Sequence, residues 1–166
     1  MAFPSSGLHT NGYSLARKLL FDVGKYTVES QLPELTRSLG EELLIPHLNY
    51  TKPVLHLLSQ HIPIKGMAHI TGGGVLENIP RILPAQCAVE INRSNCPTLA
   101  IFDRLRQLGQ LEDHEMYRTF NMGIGLIMIV PPHAVDAMRM ALKDFPTFPL
   151  YDIGCVVNGE HAVRIK

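Results

Sequence analysis

Three consecutive glycines, Gly72-Gly73-Gly74, constrain this chain more than any other feature of its sequence. They follow Gly66 to Ile70, which reads as a short buried strand, and precede a helix expected from about Leu76. Glycine loses more backbone freedom on folding than any other residue, so a run of three marks a place where bare backbone is required. At a strand-to-helix turn, free N–H groups and the helix N-terminus together make an anion site. His69 and Thr71 stand at its edge as donors, and Arg81 reaches back one turn towards an anion. Asn78 and Glu77 suit a hydroxylated group such as a ribose. The run is not a Walker loop, because no Gly-Lys-Ser/Thr follows, and it is not Gly-x-Gly-x-x-Gly. Tight helix–strand packing explains the glycines equally well; the polar residues crowded around them favour ligand binding.

Around this turn the chain alternates helical and extended signals. Met1 to Gly12 reads as an extended lead-in, and residues 13–166 as one domain. Helices are expected over Tyr13 to Val23, Glu41 to Leu48, Thr51 to Gln60, Leu99 to Leu108 and Pro132 to Lys143, from apolar residues at helical spacing. Strands are expected at Gln86 to Ile91 and at Ile124 to Val130, the latter buried on both faces because its apolar character is unbroken. Tyr151 to Val157 and His161 to Ile165 flank Asn158-Gly159, a two-residue hairpin signal. The class is therefore α/β or α+β, a mixed sheet covered by helices.

Charge and hydropathy exclude several functions. Lys plus Arg and Asp plus Glu each number 15, so there is no basic excess to displace counterions from a nucleic acid. The longest apolar run, Ile124 to Pro132, is too short for a membrane span, and no signal segment opens the chain. The three cysteines, Cys87, Cys96 and Cys155, form no Cys-x-x-Cys; Cys87 and Cys155 sit in apolar runs as small core residues, and the cytoplasm is the plain compartment. Eight histidines include no His-x-x-x-His pair, so no protein metal site is expected, and no Gly-x-Ser-x-Gly nucleophile is present.

Two further polar clusters stand out. His9-Thr10-Asn11-Gly12-Tyr13-Ser14 precedes the first helix, where Asn11 also reads as an N-cap. His114 to Gly123 gathers Glu115, Arg118 and Asn121 just before the buried strand. Glu115 and Arg118 share a helical face and are expected to pair, either within a site or as a surface salt bridge.

In this order, His-Thr-Asn-Gly-Tyr-Ser-Leu (9–15), His-Ile-Thr-Gly-Gly-Gly-Val-Leu-Glu-Asn-Ile-Pro-Arg-Ile-Leu-Pro (69–84) and His-Glu-Met-Tyr-Arg-Thr-Phe-Asn-Met-Gly-Ile-Gly (114–125) resemble the aminoimidazole ribonucleotide synthetase (phosphoribosylformylglycinamidine cyclo-ligase) family. The likeness covers nearly the whole chain but only the second half of that enzyme. It implies a three-layer α/β/α sandwich with partial ferredoxin-like topology. It also implies a purine-biosynthesis ligase that uses ATP to activate the formyl amide oxygen of formylglycinamidine ribonucleotide. The neighbouring nitrogen then closes the imidazole ring and phosphate leaves. Such chemistry asks for positioning and charge stabilisation more than for a covalent nucleophile.

By this resemblance His69 and Glu115 are the acid/base candidates. Asn11, Ser14, Thr71, Gly72, Gly73, Gly74, Asn78, Arg81, Arg118 and Asn121 are the candidates for binding substrate and phosphate. ATP and Mg are expected mainly in the family's N-terminal half, to which nothing here is similar, and no cofactor or metal is expected in this chain alone. Met1-Ala2-Phe3 runs almost at once into the first motif, so the expectation is a separately expressed C-terminal domain, or a split or truncated protein. Alone it is expected to lack turnover and to self-associate as a homo-oligomer through surface that the N-terminal half covers. The alternative is a non-catalytic module that binds a phosphate ester or a protein partner.

Overall fold

The computed structural model describes residues 1–166. Six strands form two three-stranded sheets. In the first, β1 (Ala2–Pro4), β4 (Ile124–Ile129) and β2 (Gly66–His69) lie in the order β1-β4-β2, antiparallel throughout. In the second, β3 (Cys87–Ile91) is central, antiparallel to β5 (Gly154–Asn158) and parallel to β6 (Val163–Ile165). The expected α+β class is thus present, with its strands divided between an antiparallel sheet and a mixed one. No helix is long and apolar enough to cross a membrane.

Strand β4 is buried on both faces because two cores meet on it. Ile127 joins Ile70, Ile79, Ile91 and Ile153 in a core between the two sheets. Leu126 and Met128 face the other way, onto Phe3, Leu57 and Met138. That second core is closed by α3 (Thr51–Ser59) and α7 (Val135–Ala141), the latter preceded by a 3-10 turn over Pro132–Ala134. A third core, built on Leu20, Leu39, Ile101, Leu105, Met116 and Phe120, unites α1 (Tyr13–Arg17), α2 (Leu39–Leu43), α5 (Ala100–Gly109) and α6 (Asp113–Thr119).

Several local expectations are refined. Residues 1–12 are extended at their start, but Ala2 and Phe3 are fully buried and β1 is an integral strand of the first sheet. The first helix is α-helical only to Arg17 and continues as a π-helix over Lys18–Val23. Helix α2 starts earlier and ends earlier than expected, because Ser38 and Glu41 form a reciprocal capping box and Leu44 ends the helical run. Cys155 is exposed and Cys87 only half-buried, so neither is the core thiol that its apolar run suggests.

The Asn158-Gly159 hairpin is absent. β5 and β6 each pair with β3, which lies between them. Neither Asn158 nor Gly159 takes the positive φ that a type I′ turn demands. The connection instead passes over the end of β3: the Gly159 N–H donates to the Gln86 carbonyl at 2.9 Å. A Cβ on Gly159 would lie 2.6 Å from that of Ala88, which is fully buried. Gly159→Ala is therefore expected to destabilise the protein by about 1–3 kcal/mol through overpacking. Ala88→Gly in the same chain should recover part of that loss. Additive losses in the double-mutant cycle, read by urea unfolding, would refute the contact.

Candidate functional site

The glycine turn is organised by one buried side chain. Asn78, in α4 (Gly74–Asn78), is 4% exposed. Its Oδ1 accepts from the Thr71 amide at 2.6 Å and from the Thr71 hydroxyl at 3.1 Å, while its Nδ2 donates to the Gly72 carbonyl at 3.0 Å. Both ends of the carboxamide are thus engaged within the turn. Gly73 and Gly74 adopt φ of 92° and 56°, left-handed conformations that glycine reaches with no Cβ penalty. A Cβ on Gly74 would overlap the Tyr117 carbonyl oxygen, so this glycine brings α4 against α6. Tight packing therefore accounts for Gly74.

It does not account for Gly72. Gly72 is exposed, its φ is not positive, and a Cβ there would meet only Asn11 Oδ1 at 3.7 Å. The N–H groups of Gly72 and Gly73 have no acceptor in the protein, whereas that of Gly74 donates to the Thr71 carbonyl at 2.9 Å. The Asn11 carboxamide lies beside Gly72 through its Oδ1, and its Nδ2 is buried without a partner. Two backbone amides and one buried side-chain nitrogen of the first two motifs therefore have no partner in the chain.

The third motif is placed differently from expectation. Arg118 does not pair with Glu115: its Nε donates to Glu77 Oε1 at 3.0 Å, across from α6 to α4. Glu115 accepts from Thr119 Oγ1 at 2.9 Å. The four-residue spacing of Glu115 and Thr119 and the packing of α4 on α6 decide this arrangement. Asn121 is 1% exposed and fully engaged. Its Oδ1 accepts from Ser5 Oγ and the Gly123 amide, and its Nδ2 donates to the Gly7 carbonyl, each at 2.8 Å. It ties the third motif to the segment carrying the first. Ser14 and Arg81 are exposed, on α1 and on the 3-10 turn Pro80–Ile82.

A column of histidines beside the turn carries no sequence signal, since its members come from three separate segments. His9 is 3% exposed, has φ 55°, and stacks on His47 with ring centroids 3.8 Å apart. His47 Nε2 lies 3.0 Å from Nε2 of His69, the exposed last residue of β2. Tyr50 packs edge-on against both His47 and His69 and donates from its hydroxyl to the Pro4 carbonyl at 2.7 Å. A groove of about 680 Å³ opens here, lined by His47, Asn49, Tyr50, Thr51, Met67 and His69. Burial, followed by the proximity of His47 and His69, pushes the His9 pKa down to about 4. Burial and then His69 lower that of His47.

A family model described as "AIR synthase related protein, C-terminal domain" matches residues 1–166. The chain is 45% identical over 159 residues to the phosphoribosylformylglycinamidine cyclo-ligase of Caldanaerobacter subterraneus subsp. tengcongensis, covering 96% of this chain and 46% of that protein. It is 48% identical to the enzyme of that name from Geobacillus thermodenitrificans, covering 96% and 45%. The chain thus spans less than half the length of these relatives. Among solved structures, thiamine-monophosphate kinase from Stenotrophomonas maltophilia K279a superimposes with a TM-score of 0.60 at 17% identity, over 99% of this chain and 49% of that one. The hydrogenase maturation protein HypE of E. coli does so at 0.58 and 22%, over 99% and 45%. These two likenesses show the fold.

Asn121→Ala would leave the Ser5 hydroxyl, Gly7 carbonyl and Gly123 amide unsatisfied in a buried place. The expected loss is at least about 3 kcal/mol, or roughly 6–12 °C in Tm for a chain of this size. A calorimetric Tm within about 2 °C of the parent would contradict it. His9 gives a pH dependence of defined sign. Its folded pKa of about 4 lies below the 6.5 of the free side chain, so between those values the unfolded state binds more protons. Its contribution is complete above pH 6.5 and is lost as pH falls towards 4. His9→Gln is expected to reduce the decline in unfolding free energy across that window, measured by urea titration at a series of pH values. An unchanged slope would be contrary evidence.

Proposed function

The chain belongs to the AIR synthase related family as its C-terminal domain, and from that premise we propose that it is the substrate-side part of a cytoplasmic, ATP-dependent phosphoribosylformylglycinamidine cyclo-ligase of purine biosynthesis. The overall reaction closes the imidazole ring of formylglycinamidine ribonucleotide to give aminoimidazole ribonucleotide. The share of this chain is to hold the ribose phosphate. The observation that carries this reading is the pair of unpaired Gly72 and Gly73 amides at an open turn, with the Asn11 carboxamide lying beside Gly72. Backbone amides at such a turn are fixed donors that need no reorganisation when a phosphate arrives.

Other candidates divide by what they already hold. Asn78 and Asn121 shape the site from beneath, because their carboxamides are fully engaged. Ser14 and Arg81 are free to meet substrate from the rim, while Arg118 reaches it only by leaving Glu77. Ring closure requires the attacking nitrogen to lose a proton. Of the two acid/base candidates, His69 is the better placed, exposed and two residues before Thr71, whereas Glu115 is half-buried and engaged with Thr119. ATP and Mg belong, in this reading, to the part of the relatives that this chain does not span, and that part is its expected partner.

Gly72 is the clean position for a test, because a side chain there is neither strained nor crowded. Ribose 5-phosphate is titrated by calorimetry into the parent chain, Gly72→Val, Asn11→Ala and His69→Ala, with melting curves alongside. Gly72→Val is expected to abolish binding with little change in Tm. Asn11→Ala and His69→Ala, each removing one donor to a charged group worth about 1.5–3 kcal/mol, should weaken it roughly tenfold to a hundredfold. Equal affinity in all four proteins would sink the cradle.

A further inference from the structure

The Nε2–Nε2 contact between His47 and His69 brings two histidine rings head to head beside the proposed site. Two imidazole nitrogens 3.0 Å apart admit a single proton between them, since one must donate and the other accept. The rest of the column explains why His47 holds the fixed end. Its ring lies face to face with His9, at 3.8 Å and 18° between planes, and edge-on to Tyr50. Its segment is tied down next door, where Ser6 Oγ donates to the Pro46 carbonyl at 2.8 Å. His9 is held in turn, its Nε2 lying 3.0 Å from the Ser6 amide and 3.1 Å from Ser6 Oγ. His69 shares the edge-on contact with Tyr50 but has no such stack and no such tether. Its ring is exposed at the end of an edge strand, and the contact with His47 is its one hydrogen bond within the chain.

We propose that His47 is a positioning residue for His69, and that the two rings share one proton across their Nε2 atoms. The arrangement does two things for the reaction assigned above, on which this inference rests. It fixes the plane of the His69 ring and the nitrogen that carries its proton, because the tautomer of an imidazole follows from the partner of its other nitrogen. It also limits the pair to one positive charge, because a second proton would set two cations in contact. The electrostatic neighbours of His9 are His47 and His69, and that of His47 is His69. Tyr50, the other titratable group packed on the column, stays neutral because burial raises its pKa.

The test is a titration of the histidine ring protons and nitrogens by NMR, with no ligand present, in the parent chain, His47→Gln and His47→Phe. Glutamine keeps a hydrogen-bonding group facing His69 and cannot titrate; phenylalanine keeps the stack on His9 and offers no hydrogen bond. In the parent, both rings are expected to respond at a common first midpoint, with a second step displaced downward by more than about one pH unit. In both variants His69 should titrate in one step. Its tautomer, read from the two ring-nitrogen shifts at high pH, should remain unequal in His47→Gln and relax towards the free-imidazole mixture in His47→Phe. A single His69 step with the same midpoint and tautomer in all three proteins would overturn the proposal, as would a parent chain in which the two rings titrate independently. If His47→Phe does not fold, the step count in His47→Gln decides. These outcomes stand whether or not ribose 5-phosphate binds the glycine turn, so failure here is distinguishable from failure of the cradle.

Discussion

A buried carboxamide carries an acceptor oxygen and a donor nitrogen into surroundings without water, and it is tolerable only where protein groups engage both. Asn121 meets that condition by gathering Ser5, Gly7 and Gly123 around one side chain. The three groups lie on the exit from β1, the loop that follows and the entry to β4. This junction places the segment from Ser6 to Asn11 beside the first sheet. There His9 reaches His47, and Asn11 reaches Gly72. Asn78 plays the matching part at the glycine turn, clipping Thr71 to Gly72 so that the next two residues are held in left-handed conformations. Each carboxamide is coupled to a backbone that has no other way to satisfy it, so losing either would release the geometry of a whole motif.

Elements whose identity depends on one face or one stripe are legible in the sequence. The unbroken apolar run of β4 and the helical stripes of α3, α5 and α7 lie within a few residues of where their periodicity puts them. The Asn158-Gly159 hairpin is misleading for a physical reason. A turn signal describes local backbone preference, while strand order is decided by burial. Ala88, Val89 and Ile91 of β3 are buried, whereas Gly154, Cys155 and Val156 of β5 are exposed. Placing β3 in the middle of the second sheet covers the more apolar strand from both sides, and this outweighs the turn.

At the site, residue type is legible but direction is not. Asparagine in a glycine-rich motif suits a ribose hydroxyl and a buried turn equally well, and only burial separates Asn11 from Asn78 and Asn121. The histidine column is hidden for a different reason. His9, His47 and His69 show no common spacing, because a loop, a connector and a strand end each bring one of them to the same place. Unusual backbone is the trace they leave, since His9 holds a left-handed φ that a buried non-glycine residue adopts only when its surroundings require it.

The electrostatics of the turn follow from the same division. The Glu77 carboxylate packs against Gly73 and is already paired with Arg118, and the chain as a whole carries no net charge. Attraction for an anion must therefore come from oriented amides, which neither titrate nor swing away, and whose strength depends on the distance and angle at which the anion arrives. A site built this way discriminates by shape. In the proposed reading, such a site favours a phosphate ester whose sugar fits beside Asn11 over free anions that a cluster of lysines would attract from a distance. Beside the turn, the head-to-head contact of His47 and His69 leaves room for one proton between their Nε2 atoms and brings no permanent cation to a chain whose charges are otherwise balanced.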